Sequence, residues 1–240
     1  MPVYSDEGVV LKTVKLGEAD RIITILTRHH GKIRAVAKGV RRTKSRFGAR
    51  LEPFMRCDLL IAQGRSLDVV SQAVSISQYA SRICVDYAAY TAASAMVETA
   101  DKLITAEYES TESQYVLLIG ALNALANALH PADAIGDSYL MRALSLAGWT
   151  PRLDSCVVCG RRDNLDFCSI SAGGVMCSID HTPAAVRIDL TEREQLEALV
   201  EGDWTTLDAT VLQGDVRSLV EKWGEYYLER PIHALRLLDS

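Results

Sequence analysis

Arg21–Lys38, RIITILTRHHGKIRAVAK, decides the fold. Its first part, Arg21–Thr27, is β-branched, and its last part, Lys32–Lys38, forms a second short run. Lys32, Arg34 and Lys38 sit two and four residues apart, so on a strand their side chains share one face. His29, His30 and Gly31 fall between the runs as a turn. Outward from this pair, Gly8–Val14 reads as an alternating strand upstream. Arg56–Ala62 and Leu67–Ser75 read as two more downstream, with Gly39 and Gly64 as punctuation. Five β-rich runs with Gly turns in about 80 residues predict a five-stranded barrel of the OB type.

The texture changes near Ser77. Ala88–Ala106 is Ala-rich and free of Gly and Pro, which predicts a helix. Ser110–Ala128 follows with Val116, Ile119, Leu122 and Leu125 at a spacing of three. Pro131 and Gly136 read as a break, and Asp137–Ala147 as a third helix. Thr191–Glu201 and Asp215–Glu229 complete the set, with Thr191 or Asp189 as N-cap of the former. The expected class is therefore α+β and multidomain: a barrel over 1–80 and a helical domain over 81–150 and 184–240. Residues 151–183, cysteine-bearing and poor in helix signal, read as a zinc-knuckle-like insertion.

Charge divides along the same line. Residues 1–80 hold fourteen Lys or Arg against seven Asp or Glu, a net +7. The other 160 hold twelve against twenty-four, a net −12, and the whole chain −5. Arg28–Arg50 carries nine basic residues and no acid. A basic strand face followed by a basic loop makes a track for a phosphate backbone, which puts Lys32, Arg34, Lys38, Arg41, Arg42, Lys44 and Arg46 forward as nucleic-acid contacts. Phe47 and Phe54 could stack on bases, but read better as core. No recognition helix carries the cations, so phosphate contacts should dominate over base readout. The plain alternatives are a solvated basic face, or one that pairs with the chain's own acidic helices.

Four of the six cysteines, Cys156, Cys159, Cys168 and Cys177, lie within 22 residues. Cys156-x2-Cys159 is followed by seventeen residues and then Cys177, the frame of a structural zinc site. The fourth ligand is open. His181 ranks first because imidazole is the commoner zinc ligand, Asp180 second and Cys168 third. The expected metal set is Cys156, Cys159, Cys177 and His181, holding zinc structurally.

MPVYSDEGVVLK shows no basic n-region and no apolar h-region, and no apolar run reaches the 18–20 residues of a membrane span. The expectation is a cytoplasmic, nucleoid-associated protein with no membrane partner. There is no phosphate loop of the G-x-x-x-x-G-K-S/T type, no G-x-G-x-x-G, no G-x-S-x-G and no H-E-x-x-H. His29, His30, His130, His181 and His233 form no triad pattern, and Glu18 with Asp20 reads as a turn. Phosphodiester cleavage needs an acidic metal cluster, and the basic stretch has no acid. No enzyme activity is expected.

These residues resemble a known family. Gly8-Val9-Val10-Leu11-Lys12, Gly17-Glu18-Ala19-Asp20-Arg21, Ala37-Lys38-Gly39-Val40-Arg41-Arg42, Lys44-Ser45-Arg46 and Leu51-Glu52-Pro53-Phe54 are similar to the N-terminal pattern of the RecO family of bacterial recombination mediators. Cys156-Val157-Val158-Cys159-Gly160, Phe167, Gly173-Gly174 and Cys177 resemble its knuckle, and Glu229-Arg230-Pro231-Ile232-His233 its ending. The resemblance implies an OB fold, a helical domain and a zinc-knuckle insertion. It implies binding of ssDNA and dsDNA, annealing of complementary strands, partnership with RecR and single-stranded-DNA-binding protein, and RecA loading on gapped DNA. It carries the DNA face onto Lys38, Arg41, Arg42, Lys44 and Arg46. At Asp180, zinc-bearing relatives have a cysteine. The rival expectation is a generic OB-fold protein that binds ssDNA or RNA without annealing.

Overall fold

The computed structural model describes residues 2–229, 231, 232 and 234. Of the ending Glu229–His233, Arg230 and His233 lie outside the described residues. Strands β1 (Val3–Leu16), β2 (Asp20–Thr27), β3 (Lys32–Ala37), β4 (Arg56–Ala62) and β5 (Asp68–Ser77) close into a barrel in the order β1-β2-β3-β5-β4. This is the expected OB-type barrel. Closure is possible because β1 is long enough to serve two neighbours. Its first half, Val3–Val9, pairs with β4, and Gly8–Leu16 pairs with β2 across a bulge between Val10 and Lys12. The ring closes where Ala35 and Val36 pair in parallel with Asp68 and Val69.

Val10, Ile23, Ile25, Ile33, Leu59 and Ile61 fill the barrel. Val9, Leu11 and Leu26 point the other way and are covered by helices. The run Val9-Val10-Leu11 therefore does not alternate in burial, contrary to expectation, because both faces of β1 are roofed. The loop from 38 to 55 is anchored by Phe47, Leu51 and Met55, all sunk in the barrel core. Phe54 is buried against the helices, so neither Phe is free to stack on a base.

Helices α1 (Ala80–Ile83), α2 (Tyr87–Leu103), α3 (Glu112–Ala126) and α4 (Ala132–Leu146) follow. Gly136 does not break α4. A Cβ there would meet the Cβ of Ala92 at 3.4 Å, so the glycine lets α4 lie close against α2. In α3 the buried stripe is Tyr115, Leu118, Leu122 and Leu125 rather than the three-spaced series, and Val116 is half exposed. Helix α4 is the centre of this part of the chain. One side packs into the cluster shared with α2 and α3, the other into a cluster with the knuckle, α5 (Leu190–Glu201) and α7 (Gly214–Leu228). Asp189 caps α5 in a capping box with Glu192, which settles the choice between Asp189 and Thr191. A short α6 (Trp204–Ala209) had no sequence signal strong enough to separate it from a loop. No described helix is long and apolar enough to cross a membrane.

Candidate nucleic-acid interface and metal centre

The basic stretch divides in two. Its first third is a clamp onto the acidic helical part. Lys32 is buried, its Nζ donating to the Asp101 carbonyl at 2.7 Å and lying 3.3 Å from the Asp101 carboxylate. Arg34 pairs with Glu107. Arg28 bonds Glu112 at 2.8 Å and Glu7 at 3.1 Å, and Arg56 bonds the same Glu7 at 2.7 Å and the Tyr115 hydroxyl at 3.1 Å. Lys32 and Arg34, expected on the nucleic-acid face, are thus committed within the chain. Both point outward from β3 as the two-residue period requires, but α2 and the segment after it cover that part of the strand. The alternative that the basic face pairs with the chain's own acidic helices holds for this third alone.

The loop after β3 is different. Lys38, Arg41, Arg42, Lys44 and Arg46 are exposed, and none has an acidic partner among the described residues. Arg41 braces the loop by donating to the carbonyls of Glu18, at 2.8 Å, and Gly17, at 3.3 Å. Asp20 accepts the Gly39 N–H at 2.7 Å, and Arg46 lies over the buried Phe47 ring at 4.8 Å. The cations therefore stand on a loop that is anchored at several points. Two more belong with them. Arg50, exposed, donates to the carbonyls of Arg46 and Phe47. Lys15, exposed, stands opposite Arg21 on the β1–β2 ladder, at the barrel end where Arg41 bonds. Sequence spacing could not reveal Lys15, because the β1–β2–β3 pairing, Lys15 opposite Arg21 and Arg21 opposite Ala37, brings it to the start of the loop.

The knuckle strands β6 (Phe167–Ser169), β7 (Gly174–Met176) and β8 (Val186–Arg187) hold two turns face to face. Ligand atoms of Cys156, Cys159, Cys177 and Asp180 all lie within 4.8 Å of one another. Cys159 and Cys177 sulfurs are 3.8 Å apart, and Asp180 Oδ2 is 3.2 Å from Cys177 Sγ. This corrects the expectation of His181. Its ring stacks on Phe167 at 3.8 Å, and its Nδ1 sits 3.1 Å from the Ser178 carbonyl. The tight turn after Cys177 returns the third-following side chain to the site, and here that is Asp180. Cys168 is a core thiol, pushed up to about 12 by burial.

The donors are electronically distinct. Burial of Cys156 works against charge, but the N–H groups of Cys159, Cys177 and Val158 outweigh it and bring the thiol down to about 7. The Asp180 carboxylate accepts from Cys159 and holds that thiol up at about 11, while its own affinity for a proton falls. Three sulfurs and one carboxylate converging at this spacing could hold one metal ion in a closed, four-donor site.

Residues 1–79 match the family model described as Recombination protein O N terminal, and residues 84–236 match Recombination protein O C terminal. The chain belongs to the RecO family. Relatives called DNA repair protein RecO include one from Bifidobacterium longum (strain DJO10A), 65% identical over 240 residues and covering all of both chains. Another, from Thermobifida fusca (strain YX), is 42% identical over 241 residues, covering 100% of this chain and 99% of its own. A third, from Streptomyces griseus subsp. griseus, is 43% identical over 250 residues with both chains fully covered. The role of this RecO-family chain is accordingly in DNA repair and recombination.

Proposed function

We propose that the chain is a non-enzymatic recombination mediator of the cytoplasm. It binds ssDNA and dsDNA, anneals complementary strands, and acts with RecR and single-stranded-DNA-binding protein to load RecA onto gapped DNA. The observation that carries the DNA part is the loop from 38 to 50: anchored, with exposed cations that have no acidic partner among the described residues, while Arg28, Lys32, Arg34 and Arg56 of the same barrel are neutralised. These cations would displace the counterions condensed on the phosphates, so binding gains from counterion release and falls steeply with salt. Two strands held on one screened surface can pair without any bond being made or broken. The test compares ssDNA, dsDNA and RNA binding at matched salt and adds an annealing assay. Binding of both DNA forms with faster annealing supports the mediator, and strand binding without annealing supports the passive OB-fold protein.

For the metal we propose zinc, in a structural role. Thiolates about 2.3 Å from a tetrahedral zinc lie about 3.8 Å apart, which is the Cys159–Cys177 sulfur separation of 3.8 Å. Bound zinc would fasten the two knuckle turns together. Mass spectrometry under native conditions is expected to find one zinc per chain. His181→Ala should leave that stoichiometry intact. Asp180→Ala should lower zinc affinity by at least about tenfold in a chelator competition, since losing even an outer-shell partner has that effect.

One groove supports the partner reading. Between α3 and α4 runs a groove of about 840 Å³ lined by Val116, Leu117, Leu129, Leu146 and Trp204, with Arg142 among them. Of the cations that could serve an acidic tail, Arg217 lies 3.7 and 3.6 Å from Asp133 and Asp137 and is compensated. Lys222 belongs to a separate pocket beside the knuckle, and Arg152 lies by the knuckle's Gly174. A mostly apolar groove that holds the cation Arg142, and whose acid, Glu112, is paired with Arg28, suits the acidic, C-terminal tail of single-stranded-DNA-binding protein. Arg142→Glu is expected to weaken binding of a tail peptide by about tenfold or more in calorimetry, and an unchanged affinity would remove this site.

A further inference from the structure

Burial of Phe47 and Phe54 leaves the basic loop without a base-stacking residue of its own. Aromatic surface stands beside it nonetheless. Val85, just before α2, and Tyr87 and Tyr90, in its first turn, are 84%, 64% and 44% exposed. Tyr90 is fixed in place: its ring meets the Phe54 ring at 5.9 Å and 84°, an edge-on contact that holds Tyr90 while part of it stays open. Phe54 ends the basic loop, bonding the Val10 carbonyl through its N–H at 3.0 Å. Three residues on, in β4, Cys57 Sγ is 3.0 Å from the Arg50 carbonyl, which ties Arg50 back to the strand that follows Phe54. Asp86, the nearest acid in sequence, is occupied in capping α2 through the Ala89 N–H at 2.7 Å.

We propose that Tyr90, with Tyr87, forms a stacking platform for the unpaired bases of a single strand whose phosphates run along Lys38–Arg50. This rests on the nucleic-acid reading above and deepens it, because it makes single strands the preferred ligand. Any base offers a π-face, so the platform selects strandedness rather than sequence. A duplex keeps its bases stacked inside and gains nothing from the tyrosines. The loop cations supply the charge complement that a protein segment of ordinary composition would not match, which is why a nucleic acid is the occupant chosen.

The test is fluorescence anisotropy with labelled oligo-dT and a blunt duplex across a salt series, using the full chain. Tyr87→Ala with Tyr90→Ala is expected to weaken oligo-dT binding by about tenfold or more and duplex binding by less than about twofold. The salt slope should not change, because no charge is removed. Tyr90→Phe, which keeps a ring against Phe54, should retain most of the affinity. Photo-crosslinking with 5-iododeoxyuridine should label Tyr90 or Tyr87 in the wild type. Equal losses on single strand and duplex would overturn the proposal and assign the tyrosines to the fold, with thermal melting as the check. Unchanged oligo-dT binding would also overturn it, even if binding of a protein partner were lost. The underlying reading fails separately, if Lys38, Arg42, Lys44 and Arg46 can all become Ala without loss of DNA binding.

Discussion

Changing Lys38, Arg42, Lys44 and Arg46 together to Ala is expected to cost two to three orders of magnitude in single-strand affinity at about 0.1 M salt. Each phosphate contact contributes about −0.7 to the slope of log affinity against log salt on single strands, so four contacts account for a slope of about −3. The variant's salt dependence should be flatter by that amount. Fold stability should barely move, because these four side chains are exposed and have no acidic partner among the described residues. Arg41 is left in place deliberately. Its guanidinium braces the β1–β2 turn through the Glu18 and Gly17 carbonyls, so its loss would mix folding with binding. The contrasting variant is Lys32→Ala. That side chain is held by Asp101, so its removal should loosen the joint between barrel and helices and leave the salt slope unchanged.

Gly31→Ala is expected to destabilise the protein by about 3 kcal/mol or more, a fall of roughly 6–12 °C in Tm for a chain of this size. Gly31 has φ +65, and a Cβ on it would lie 1.8 Å from the Glu109 carbonyl oxygen, a backbone atom that cannot swing aside. Next to it Tyr108 N–H bonds the Lys32 carbonyl at 3.0 Å, and Lys32 bridges to Glu107. The added methyl would therefore push the β2–β3 hairpin away from the segment joining α2 to α3, where the Lys32 and Arg34 clamps also sit. Gly48→Ala is the control. Its φ is +55 but nothing lies within 4 Å of a Cβ there, so only the backbone cost of about 1 kcal/mol remains. Thermal unfolding of both variants by circular dichroism checks the difference.

The barrel was legible because its five strands carry a two-residue period and β-branched runs between glycines, and these cues are local. Arg56–Ala62 matches its observed strand to the residue. What failed was whatever depended on distant partners. Nothing in KIRAVAK distinguishes Lys32 and Arg34, which meet Asp101 and Glu107 some seventy residues on, from Lys38, which meets no acid among the described residues. Gly136 read as a breaker because its reason, the closeness of Ala92, is tertiary. The cysteine cluster was legible in Cys156, Cys159 and Cys177, whose spacing lets two turns bring their sulfurs together. The fourth position went to His181 on ligand statistics, whereas turn geometry brings Asp180 in and leaves His181 stacked on Phe167. The groove beside Arg142 had no sequence signature, since α3 and α4 build it jointly.

The most direct measurement is annealing of two complementary oligonucleotides, one carrying a donor dye and one an acceptor, followed by energy transfer over a salt series. The wild type should accelerate annealing well above the spontaneous rate at low salt and lose the effect as salt rises. The Lys38, Arg42, Lys44 and Arg46 variant should stay near the spontaneous rate throughout. Annealing by that variant at the wild-type rate, or no acceleration by a wild type that binds both strands, would contradict the account.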